Sequence, residues 1–160
     1  MLISTSRKPS QNTRKFCKNF AHATGSNYVN RGKMSMREVF LKSIELEENN
    51  ACIVNEIKGN PSRITFYTNK GEELLCILIN VTLTNERLHI LPKDLTIVSK
   101  VERLNVLEDI LGYPLVDKDN ANYILIDSED GELEAIIRFI NKFGEKSEFK
   151  INVRKILEEK

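Results

Sequence analysis

One hundred and sixty residues make one domain of ordinary size, or one domain built of two similar halves. With 41% hydrophobic and 29% charged residues the composition is that of a soluble globular protein, and no apolar run approaches the ~20 residues of a membrane span. The net charge of +1 conceals a partition: residues 1–37 hold eight of the 24 Lys and Arg and no Asp or Glu, leaving 16 basic against 23 acidic residues, a net of −7, in the remainder.

In chain order, LIST (Leu2 to Thr5) is expected as a short strand and SRKPS as a tight connection. From Ser10 to Thr24, Phe16, Cys17, Phe20 and Ala23 share one side of a helix at about 100° per residue. Gln11, Arg14, Lys15, Lys18 and His22 cover the other side, and Gly25 stops the helix. SNYVN (Ser26 to Asn30) can form a second strand. Ser35 and Glu38 make an S-x-x-E capping box for a helix that presents Met36, Val39, Phe40 and Ile44 on one face. Ala51 to Ile57 is a third strand, closed by Gly59-Asn60-Pro61. Arg63 to Thr68 and Leu74 to Thr84 form a hairpin around Asn69-Lys70-Gly71.

The second half begins with Leu95 to Ser99 as a strand, and Ser99 with Glu102 repeats the capping pattern before a helix burying Leu104, Leu107, Ile110 and Leu111. That helix stops at Gly112. Asn122 to Asp127 is a strand, Asp130 caps a helix carrying Leu133, Ile136, Ile137 and Ile140, and Phe149 to Val153 is a closing strand. Asn27-Tyr28-Val29 and Asn122-Tyr123-Ile124 suggest a loose repeat. The expectation is an α/β protein of two related halves, about 1–92 and 93–160, each a small mixed sheet with helices. The two would pack on each other, with the hairpin at 63–84 added in the first.

Three scattered cysteines, Cys17, Cys52 and Cys76, contain no CxxC pair and read as reduced core thiols of a cytoplasmic protein. No export leader is expected, because Ser4, Thr5, Ser6 and Arg7 break a basic-then-apolar pattern. His22 and His89 are too few for a metal site or a triad, and neighbouring acidic pairs such as Glu108-Asp109 diverge in direction. No G-x-S-x-G frame places a nucleophile. Neither an enzyme nor a cofactor nor a metal is indicated.

The acid-free N-terminal tract points to a polyanion. A solvated basic face is the plainer reading, but a tract this long without an acidic residue is unusual for one. NRGKMSMRE (Asn30 to Glu38) places glycine and lysine ahead of a helix start. A nucleotide-binding P-loop would need glycine where Asn27 stands and a hydroxyl residue where Met34 stands, so that reading fails. Phosphate held without catalysis remains, because free N–H groups and the dipole at a helix start favour an anion. Arg31, Lys33 and Arg37 surround that start, and Arg7, Lys8, Arg14, Lys15 and Lys18 surround the first helix. If both helix starts lie at one end of the sheet, they make one composite phosphate site. Tyr28 and Asn30 would add stacking or base-edge contacts, and Gly32 would give backbone access. Replacing Arg31 and Lys33 by Ala is then expected to weaken binding across sequences while leaving the melting temperature nearly unchanged.

These residues resemble a known signature. Thr5, Ser6, Arg7, Pro9 and Ser10, a basic amphipathic helix, then Asn30-Arg31-Gly32 are similar to the N-terminal motif of the Brix-domain family of ribosome-biogenesis proteins, in its short archaeal form. ACIVNEIKGNP resembles the segment that follows. The resemblance implies one Brix domain over residues 1–160, with halves similar to the anticodon-binding domain of class IIa aminoacyl-tRNA synthetases. It implies a protein without a cofactor that binds ribosomal RNA or its precursor and meets ribosomal proteins or other assembly factors; nothing in the sequence demands more than a monomer or points to a membrane. A protein–protein scaffold and a tRNA-binding accessory module are the alternatives. Where many eukaryotic members carry a Gly-Pro-Arg-Phe-like segment, this chain has Ser147-Glu148-Phe149-Lys150, so RNA contact there rests on Lys150, Arg154 and Lys155 as a secondary set.

Overall fold

The computed structural model describes residues 1–128 and 131–157. It orders them as β1 (Leu2–Thr5), α1 (Gln11–Thr24), β2 (Asn27–Tyr28), α2 (Met36–Glu45), β3 (Asn50–Ile57), β4 (Asn60–Thr68), β5 (Glu73–Thr82) and β6 (Thr96–Ser99). After these come α3 (Leu107–Leu111), β7 (Tyr123–Asp127), β8 (Ala135–Ile140) and β9 (Lys146–Leu157), with single 3-10 turns at Pro92–Asp94 and Glu102–Leu104.

All these strands belong to one mixed sheet in the order β2-β1-β3-β4-β5-β9-β8-β7-β6. Two arms meet at the antiparallel pairing of β5 with β9. In the first arm β1 lies parallel to β3, and β3, β4 and β5 follow antiparallel. In the second, β6 lies parallel to β7, and β7, β8 and β9 follow antiparallel. The parallel pairs need a crossover, and α1 with α2 supplies it in one arm and α3 in the other. The arms thus join edge to edge in one sheet, where the sequence suggested two small sheets packed on each other. The segment expected as an addition forms β4 and β5, which match β8 and β9 of the second arm. The repeat register also shifts. Tyr123 and Ile124 lie in β7, the counterpart of β3, so they are not equivalent to the β2 residues Asn27 and Tyr28.

Alternation along the strands divides the interior. Ile3, Cys52, Val54, Ile64, Phe66 and Ile77 face the main core with Phe16, Cys17 and Phe20 of α1 and Leu107 and Ile110 of α3. Leu2, Ala51 and Ile53 point the other way and bury Val39 of α2, with Met36 and Phe40 packed beside them. The β1–β3 part of the sheet therefore lies between α1 and α2. Gly71 lets the β4–β5 turn approach α2, since a Cβ there would sit 3.0 Å from the Phe40 ring.

Several expectations require correction. Residues 135–140 form β8 in place of a helix, with Ala135, Ile137 and Phe139 in the main core; Asp130, its expected cap, lies outside the described residues. The helix after β6 breaks into a 3-10 turn and the five-residue α3, and Ser99 bonds the backbone of Val101 instead of forming a box with Glu102. Ile44, expected on the buried face of α2, is exposed, and Ser43 is buried in its place. The closing strand is longer than expected, twelve residues from Lys146 to Leu157.

Candidate nucleic-acid interface

Parallel pairing of β1 with β2 brings their C-terminal ends to the same end of the sheet, so the loops that follow, 6–10 and 29–35, are neighbours. The Arg7 guanidinium reaches across to the carbonyls of Lys33 and Met34, at 3.4 and 3.5 Å. Arg31 makes the tighter connection, with Nη1 donating to the Thr5 carbonyl and Nε to the Met34 carbonyl, both at 2.8 Å. Only 7% of Arg31 is exposed. Burial, with the nearby positive charge of Arg7, lowers its pKa from the ordinary value.

The two basic segments therefore do meet. Arg31, however, is turned inward as a clamp between the loops, so its replacement is expected to cost stability, where the sequence suggested a melting temperature nearly unchanged. Arg7, Lys8, Gly32 and Lys33 remain exposed at the loop surface. Gly32 has φ 52° and open space where a Cβ would project, so it is required by the left-handed backbone and not by a close neighbour.

Both helix starts already hold a carboxylate. At α1 the N-cap Ser10 accepts from the Thr13 N–H, while the Ser10 N–H donates to Glu56, 2.9 Å to Oε2. The Thr13 hydroxyl also donates to Glu56, and the Ser10 hydroxyl donates to the Gly59 carbonyl at 2.6 Å. At α2 the expected capping box closes, with Glu38 accepting from the Ser35 N–H and Ser35 from the Glu38 N–H. A composite phosphate site built on two open helix starts is therefore not what the fold presents.

It presents a groove along the side of α1. Gln11, Asn12, Arg14, Lys15, Lys18 and Asn19 form one wall and Thr84 and Asn85 the other, around an open volume of about 710 Å³. The Asn19 amide donates to the Thr84 carbonyl at 3.2 Å and ties the walls together. Arg14 and Lys18 are exposed and Lys15 half-buried. Among the described residues no carboxylate lies within ion-pair distance of these three, nor of Arg7, Lys8, Lys33 or Arg37. Tyr28, half-buried against the core, donates its hydroxyl to Asn30 at 3.1 Å, so the two polar tips satisfy each other. Burial, followed by Cys17, raises the Tyr28 pKa, and the positive charge of Arg14 partly opposes this.

Other residues in the predicted set lie elsewhere. Arg37 stands on α2, across the sheet from α1. Lys150 alternates with the core residues Phe149 and Ile151, so it faces away from α1, and Ile156 likewise turns Lys155 outward. Phe149 itself is fully buried against Phe16 and Phe139, with ring centroids 5.7 and 5.1 Å apart, and is a core residue. Sequence reasoning missed Thr84 and Asn85, which lie in an aperiodic polar run, and Glu56, which reaches Ser10 from 46 residues away. Among the described residues no cluster of three or more His, Cys, Asp or Glu is placed to hold a metal ion, and no helix is long and apolar enough to cross a membrane.

No protein-family profile matches the chain. A probable Brix domain-containing ribosomal biogenesis protein of Methanothermobacter thermautotrophicus is 31% identical over 154 residues, covering 96% of each chain. The crystal structure of Mil, an archaeal Imp4-like protein, superposes with a TM-score of 0.82 at 29% identity, over 98% of this chain and 99% of that one. A probable ribosomal biogenesis protein from Aeropyrum pernix shares the fold, with a TM-score of 0.78 at 23% identity over 98% of this chain and 96% of that one. The Thr5–Ser10 and Asn30–Gly32 segments that carried the first resemblance are thus the loops that Arg31 joins, and the chain belongs to the Brix domain-containing ribosomal biogenesis proteins.

Proposed function

We propose that the chain acts in ribosome biogenesis as a non-enzymatic binder of ribosomal RNA or its precursor in the cytoplasm, and that the α1 groove holds the sugar-phosphate strand. The observation that carries this reading is the set Arg14, Lys15 and Lys18, which line one open groove with no carboxylate partner among the described residues. Positive charge left uncompensated beside amide side chains suits a phosphate strand, whose neutralisation releases counterions. Arg7, Lys8 and Lys33 extend the charge across the end of the sheet, Arg31 positions the loops that carry them, and Arg37 continues it onto α2. Lys150 and Lys155, on the face away from α1, and the exposed Arg154, which lines a cleft with Lys155, Leu78 and Asn80, would serve only a second stretch of RNA. We read the arms as the related halves of one Brix domain, similar to the anticodon-binding domain of class IIa aminoacyl-tRNA synthetases; the matched strand order supports this.

Filter binding of single-stranded ribosomal RNA over a salt series tests the function. Neutralising about five phosphates gives a slope of log K against log salt of roughly −3.5. Lys15→Ala with Lys18→Ala should flatten it. A slope near zero in the unaltered protein would refute the groove as an RNA site.

One observation favours a scaffold role as a second reading. On the outer side of α2, Leu41 and Ile44 are 54% and 50% exposed, which suits contact with another protein. Crosslinking in cells separates the readings: ribosomal precursor RNA supports the first, protein adducts alone the second, and tRNA the accessory-module alternative.

A further inference from the structure

Phe143 is the one exposed phenylalanine of the chain's seven, at 61%. A single apolar side chain on a surface needs no explanation by itself. What distinguishes this one is how firmly its turn is held. Asn141, itself buried, accepts from the N–H groups of Phe143 and Glu145 through Oδ1, at 2.9 and 3.0 Å. Backbone bonds from Asn141 to Glu145 and from Gly144 to Asn141 close the same turn, at 2.8 and 3.0 Å. Gly144 has φ 78°, and a Cβ there would lie 2.8 Å from the Asn120 carbonyl, so the turn packs directly on the backbone beneath it. The Lys142 N–H donates to the His89 carbonyl at 2.9 Å, His89 itself having φ 53°. The His89 ring lies 5.4 Å from the Phe143 ring at 56°, and Lys142 Nζ stands 5.2 Å from its centroid.

The position matters as much as the rigidity. The segment 84–89 runs from the α1 groove to this turn: Thr84 and Asn85 wall the groove, and Glu86, Arg87, Leu88 and His89 line a second cleft of about 380 Å³ with Asn141 and Glu145 of the turn. Charges in that cleft are mixed, with Arg87 and Lys146 beside Glu86 and Glu145. A phosphate gains little there, whereas a neutral aromatic base next to an exposed ring gains stacking. We propose that Phe143 is a stacking platform for an unpaired base of the RNA strand leaving the α1 groove. This rests on the RNA reading above. A turn held in place before binding loses little backbone freedom when a base covers the ring it carries. The Lys142 ammonium stands over the ring at the end of a flexible stem, so a base that stacks on that face displaces it.

The chain has no tryptophan, so Phe143→Trp introduces a single reporter at the site. Titration with a short single-stranded ribosomal RNA should quench its emission. Phe143→Leu should bind the same RNA about tenfold more weakly, while Phe143→Tyr keeps the affinity, because stacking needs a π-face and not merely apolar bulk. Lys18→Ala in the Phe143→Trp background should weaken binding yet leave the quench at saturation. Salt-dependent binding with unmoved emission, and equal affinity for Phe143→Leu, would overturn the platform while the groove stands. Absence of RNA binding by the unaltered protein at low salt would overturn both.

Discussion

The guanidinium of Arg31 donates to the carbonyls of Thr5 and Met34 from a buried position, an arrangement that a lysine ammonium cannot copy from one stem. Removing the fork leaves the Thr5 carbonyl without its charged donor and the Met34 carbonyl with only the longer bond from Arg7. Arg31→Ala should therefore lower stability by about 2–3 kcal/mol, read from the urea midpoint at unchanged slope, and Arg31→Lys should restore only part of it. Lys33→Ala, at an exposed position a few residues on, should leave the midpoint within experimental scatter. The count and positions of the basic residues were readable from the sequence. Which of them turns inward was not, because Arg31 takes its direction from a strand end 26 residues earlier in the chain. If Arg31→Ala and Lys33→Ala shift the midpoint alike, the clamp assigned to Arg31 is wrong.

At the scale of single elements, legibility follows the density of local signals. The helices α1 and α2 carry both periodicity and chemical stops: Ser10 and Gly25 bound the first, and Ser35 with Glu38 opens the second. AIIRFI carries no stop. Its isoleucines satisfy a helical spacing and a strand interior equally, and β-branched residues in a sheet centre are selected by packing on both sides. The start of α1 shows the opposite limit, where an element depends on a residue far along the chain. Hydrogen bonding from the Thr13 hydroxyl, supported by Ser10 and opposed by partial burial, holds the Glu56 carboxyl below its ordinary 4.5. Because the folded-state value is depressed, the stabilisation is present above the ordinary carboxylate range and is lost as pH falls through the lowered value. Glu56→Gln should accordingly destabilise α1 at neutral pH, with the gap from the unaltered protein closing as the pH falls through the lowered value. Helix circular dichroism in urea at a series of pH values measures it, and a gap constant with pH would count against the assigned role.

Across the molecule, two patterns were visible to different degrees. The charge partition was plain, since it needs only counting, and the basic wall of the groove on α1 lies within the acid-free tract. The sheet order was not, because it depends on β5 pairing with β9 across roughly seventy intervening residues, a contact without a local signature. The aromatic cluster Phe16, Phe149 and Phe139 spans that junction and ties α1 of one arm to β9 and β8 of the other. Phe149→Ala should cost about 3–5 kcal/mol. Hydrogen exchange should show α1 and β8 losing protection together; separate losses would mean that the arms unfold independently.

The strand at residues 146–157 sits in the middle of the sheet although it is contributed late in the chain. During synthesis the first arm is complete by residue 82, yet its β5 edge has no neighbour until those last residues emerge. An open, Ile- and Leu-rich edge invites pairing with another nascent chain. The hazard is greatest where many copies are translated side by side, and it ends when the chain slots its own late strand into the gap.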